Sequence, residues 1–132
     1  MTRVLLIEDD QWLSQLEAAT LRDAGFDVTC APHALAAMDL IDEALPDVIV
    51  LDVLLVGTTG FTLLNELQSH ADTATIPVVL CTNLAEQFSD ATLSSYGVKR
   101  VVDKTTLIPD ELVVAVRAVT LNSGGSDENL SH

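Results

Sequence analysis

A chain of 132 residues, 48% of them apolar, is long enough to bury one good core and fits the usual size of a single domain. Six Lys and Arg stand against 20 Asp and Glu, a formal net charge of −14. Such a surface repels phosphate backbones and anionic lipid, which argues against nucleic-acid and membrane partners.

The chain alternates strand and helix. Residues 4–7 form an apolar run that ends at Glu8, Asp9 and Asp10. The helix expected next places Leu13, Leu16, Thr20, Leu21 and Ala24 on one face of a 3.6-residue period, and Gly25 is its stop. Residues 27–31 read as a second strand, less apolar and so near a sheet edge. Ala34, Ala37, Met38 and Ile41 give the next helical stripe, closed off by Pro46. A third strand over 48–51 runs into Asp52. Gly60, Leu63, Leu64 and Leu67 repeat the helical spacing, and Pro77 opens a fourth strand that reaches Thr82.

A fourth helix is predicted over 85–96, although Ser89, Asp90, Thr92, Ser94 and Ser95 have modest helix propensity and only Phe88 and Ala91 give it an apolar side. The fifth strand covers about 99–102 and leads to Lys104. The last helix starts near Pro109, with Asp110 and Glu111 at the positive end of its dipole and a stripe of Leu112, Val113, Val116 and Val119. Residues 122–132 are polar and glycine-rich, so the domain is expected over 1–121 with a disordered tail behind it.

Short apolar strands alternating with amphipathic helices imply a parallel sheet covered on both faces, a five-stranded doubly wound α/β sandwich. No apolar run approaches the roughly 20 residues of a membrane span, and the N-terminus lacks the pattern of a signal peptide. Cys30 and Cys81 have no metal-like spacing and read as small buried residues of a reducing compartment, so a cytoplasmic location is expected.

In such folds the carboxyl ends of the strands converge on one crevice, where ligands bind. Glu8 and Asp9, Asp52, Thr82 and Lys104 all end, or nearly end, predicted strands. Taken singly, the three acids could be a helix entry, Asp52 a turn residue, Thr82 an ordinary strand residue and Lys104 a surface cation. Their conjunction carries the argument.

With LLIEDD at the first strand end, IVLDVLLVGTTG around Asp52, VVLCTN around Thr82, VVDK at Lys104, and Gly60 eight residues after Asp52, the chain resembles a response-regulator receiver domain of two-component phosphorelay systems, of the single-domain type, over about 2–120. The resemblance implies the flavodoxin-like strand order 2-1-3-4-5 with five helices on two faces. It implies that Asp52 takes a phosphoryl group from a sensor histidine kinase or histidine phosphotransfer protein. Mg²⁺ would be held by Asp9, Asp52 and the Leu54 backbone carbonyl, with Glu8 acting through water. The Thr82 hydroxyl and Lys104 ammonium would meet phosphoryl oxygens. The product would be a signalling phosphoacceptor rather than an enzyme, a monomer or weak dimer whose output is a protein contact. It would assist its own transfer and lose the group slowly, because apolar Leu54 and Leu84 would flank it.

The chain departs from the family pattern at four positions. Val101 stands where an inward-turning Tyr or Phe is usual, Thr105 where a cis-proline follows the lysine, Val56 where a proline is frequent, and Asn83 where a small residue is preferred. Two other readings use the same residues. A haloacid-dehalogenase-type phosphatase would need a second acid two residues after the nucleophile, and Leu54 cannot serve. A receiver-like scaffold that binds a partner without phosphorylation is favoured by Val101 and Thr105 and opposed by the intact acidic set.

Overall fold

The computed structural model describes residues 2–52, 57–82, 94–103 and 109–129. Five strands, β1 (Arg3–Ile7), β2 (Asp27–Ala31), β3 (Val48–Asp52), β4 (Val78–Thr82) and β5 (Val98–Asp103), form one sheet in the order β2-β1-β3-β4-β5. Every pairing is parallel. The described helices are α1 (Gln11–Asp23), α2 (Ala34–Glu43), α3 (Gly57–Gln68) and α4 (Pro109–Asn129). None of them is long and apolar enough to cross a membrane.

The alternation of side chains along each strand divides the core into two layers. Leu5, Ile7, Ile49, Leu51, Val78 and Leu80 face α2 and α3, where Ala37, Ile41, Leu64 and Leu67 meet them. Val4, Leu6, Val48, Val50, Val79 and Cys81 face the other way, onto Ala18, Leu21, Leu112, Val116 and Val119. Because both faces of β1, β3 and β4 are covered, these strands read as unbroken apolar runs. The polar β2 is an edge strand, as its composition suggests.

Helix ends follow local chemistry. The Asp10 side chain accepts a bond from the Leu13 N–H at 3.0 Å and caps α1. At the other end Gly25 takes φ +100°, its N–H donating to the Arg22 carbonyl while the Phe26 N–H donates to that of Leu21, a Schellman closure. The imidazole Nδ1 of His33 caps α2 by accepting from the Ala36 N–H at 3.1 Å.

Two expectations need correction. The buried face of α1 is Ser14, Glu17, Ala18 and Leu21, whereas Leu16 is 41% exposed. α1 packs on β2 and α4, and small Ser14 and Ala18 allow a close approach that a stripe scored on apolarity alone misses. Cys30 is exposed while Cys81 is buried, because only Cys81 lies in a strand with neighbours on both sides. Helix α4 runs on through residues 122–129. Elongation adds one bond per residue once a nucleus exists, and the two glycines there each cost only about 1 kcal/mol relative to alanine. The predicted helix over 85–96 lies outside the described residues up to residue 93. Ser94 and Ser95 are helical.

Candidate functional site

Chain order within the sheet brings the strand ends together. In register, Ile7 of β1 stands beside Leu51 of β3, so Glu8 follows at the level of Asp52. Asp52 pairs with Cys81, and Thr82 pairs with Asp103. Neighbouring strands lie about 4.8 Å apart. The backbones of Glu8, Asp52 and Thr82 therefore share one edge, on three adjacent strands. Asp103, whose side chain is not described, ends β5 beside Thr82. It precedes Lys104 in VVDK.

Glu8 is a charged residue in a position the core would otherwise fill, only 3% exposed. Its N–H donates to the Ala31 carbonyl at 3.1 Å, which prolongs the β1–β2 pairing by one residue. Its Oε2 accepts from the Asp10 N–H at 3.3 Å. Asp10 in turn binds the first turn of α1 with both its side chain and its carbonyl, the latter accepting from the Ser14 N–H at 2.8 Å. Asp9 is thus held between two anchored neighbours and is itself exposed. A buried acid beside an exposed one, both on a rigid strand-to-helix junction, is a fitting start for a cation site.

The donor chemistry at this edge is oxygen: Glu8, Asp9 and Asp52 carboxylates, with the Thr82 hydroxyl one residue further along. Hard oxygen donors suit Mg²⁺ or Ca²⁺ and not the soft metals. Cys81, adjacent to Asp52 in register, points into the layer beneath α1 and α4 and offers the edge no thiolate. Among the described residues no three His, Cys, Asp or Glu side chains group as metal ligands; the described side chains do not include that of Asp52. The side chain of Thr82 is likewise not described, and Leu54, Val56, Asn83, Leu84, Lys104 and Thr105 lie outside the described residues altogether. Val101 is half-buried and packs against the layer that α2 and α3 cover.

Comparison with known proteins bears on the fold and the family. The family described as response regulator receiver domain matches residues 4–117. The "DNA-binding dual master transcriptional regulator RpaA" of Synechocystis sp. is 37% identical over 86 residues, which is 65% of this chain and 36% of that protein. The "Sensory transduction protein RegX3" of Mycobacterium tuberculosis is 29% identical over 131 residues, covering 99% of this chain and 56% of its own length. The chain thus spans about a third to just over half of these curated relatives. The solved receiver domain of the Francisella response regulator 1452 superposes with a TM-score of 0.78 at 24% identity, over 93% of this chain and 99% of that one.

Proposed function

Because the chain belongs to the response-regulator receiver family, we propose that Asp52 accepts a phosphoryl group from a histidine-borne donor, with Mg²⁺ held beside it, and that the modified chain switches a protein–protein contact. The observation that carries this reading is the register that aligns Glu8, Asp52 and Thr82 on adjacent strand ends.

In this reading a carboxylate oxygen of Asp52 attacks phosphorus, the P–N bond to the donor imidazole breaks, and the imidazole departs with the electron pair and later regains a proton from solvent. An acyl phosphate remains on Asp52. Asp9, Asp52 and the Leu54 carbonyl would hold Mg²⁺, and Glu8 would orient a water of its shell. When bound, the ion neutralises charge on the nucleophile and on the transferring oxygens. Thr82 would donate its hydroxyl to one phosphoryl oxygen, and the Lys104 ammonium would face another. Little covalent chemistry is left to the protein, so positioning and electrostatics supply the catalysis. The donor would be a sensor histidine kinase or a histidine phosphotransfer protein. The net charge of −14 makes DNA an unsuitable partner for this domain, whatever is bound by its longer relatives.

Trp12 supplies a reporter, being 72% exposed on the first turn of α1 and three residues past Asp9. Mg²⁺ titration should change Trp12 fluorescence and raise the melting temperature. Asp9→Ala should keep the fold, hold or raise apo stability, and abolish both responses. An unaltered Mg²⁺ response in Asp9→Ala would sink the proposed cation site.

A further inference from the structure

On the side of the sheet remote from the carboxyl edge, one side chain joins three parts of the chain. Gln68 is the last residue of α3. Its Nε2 donates to the Ala74 carbonyl in the α3–β4 connection and to the Tyr96 carbonyl in the turn before β5, each at 3.3 Å. An amide nitrogen carries two hydrogens, so both donors are used, and both bonds are partly shielded from water. The Tyr96 bond spans 28 residues of sequence.

The turn is shaped to receive this amide. Gly97 has φ +80°, and a Cβ placed on it would stand 2.5 Å from the Gln68 Nε2. Only the glycine lets the carboxamide come so close. The same glycine is fixed on both sides by backbone bonds: its N–H donates to the Ser94 carbonyl at 3.0 Å, and its carbonyl accepts from the Val78 N–H at 3.2 Å. The start of β4 and the start of β5 thus meet at the residue the amide lies against.

We propose that the Gln68 carboxamide is a latch that fastens the end of α3 to the turn at Tyr96–Gly97, so that a displacement of α3 is felt at the start of β5. Helix α3 begins five residues after Asp52 and runs about 18 Å to Gln68. A helix is stiff along its axis, whereas a turn held by a few bonds is the softer partner. The coupling half of this proposal rests on the reading that Asp52 is modified; the latch itself does not.

Amide hydrogen exchange on the full chain tests both halves separately. Gln68→Glu keeps the shape of the side chain and removes both donors, and Gln68→Ala removes the group. Without any ligand, each should accelerate exchange at the Gly97 and Val78 amides by about thirtyfold, the size expected for two neutral hydrogen bonds, and leave β1 and α1 within about twofold. Gly97→Ala should do the same in the native background by pushing the amide aside, and should add less in the Gln68→Ala background, because the clash is then gone. A change below twofold at Gly97 and Val78 in both Gln68 variants overturns the latch, and so does acceleration spread evenly over the sheet.

With beryllofluoride and Mg²⁺ as the phosphoryl mimic, the unaltered chain should change protection at Leu51 and Cys81 and also at residues 95–98. Gln68→Glu should keep the first response and lose the second. Retention of both in Gln68→Glu overturns the coupling. No response anywhere in the unaltered chain overturns the reading of Asp52 and the coupling with it, while the ligand-free arm still decides the latch.

Discussion

Glu8 is the residue that shows how function bends the rules of a core. Every position of β1 past Arg3 is apolar and buried, and a carboxylate 3% exposed directly after them would be costly without partners. The Asp10 N–H bond provides one, and a cation would provide more. Asp10 has the local task of capping α1. Removing its side-chain acceptor in Asp10→Ala should lower unfolding stability by about 1 kcal/mol, and Asp10→Asn should restore most of that. Equilibrium urea unfolding measures it. If Asp10→Asn is as unstable as Asp10→Ala, the cap does not contribute. Glu8, Asp9 and Asp10 were legible as acids at a strand end. Asp10 was legible as the cap, since Asp is a favoured N-cap residue; what was illegible was that Glu8 is buried and Asp9 exposed.

Elements were easiest to read where one periodicity dominated. The strand runs ending at Ile7, Asp52 and Thr82 were legible as unbroken apolar stretches, and the α2 stripe of Ala37 and Ile41 as a helical spacing. Helix α1 was harder because its buried face is made of two small residues, one acid and one leucine, with Glu17 5% exposed and Leu16 turned outward. Ser14 and Glu17 on that buried face are polar, so an apolar count misplaces it. The difference is measurable. Leu21→Ala should destabilise by about 2–5 kcal/mol as a buried truncation, whereas Leu16→Ala should change stability by no more than about 0.5 kcal/mol. Equal losses at the two positions would mean that the expected stripe, and not the observed one, faces the core. The latch at Gln68 was equally hidden, because it depends on a single glycine 29 residues further along the chain.

At the scale of the molecule, the parallel order β2-β1-β3-β4-β5 turns four distant sequence segments into one edge. Anything that needs a nucleophile, a cation and a hydroxyl within reach of one another can be assembled there without a dedicated loop. The net charge of −14 repels phosphate backbones and attracts basic groups. The resemblance implies a switch that turns an aromatic ring inward; Val101, half-buried and packed against the core, has no ring to turn. The account stands on Asp52 as the acceptor. Incubation with a phosphorylated histidine phosphotransfer protein and Mg²⁺, followed by intact-mass spectrometry, tests that most directly. The unaltered chain should gain the mass of one phosphoryl unit and Asp52→Asn none; undiminished labelling of Asp52→Asn would contradict the account.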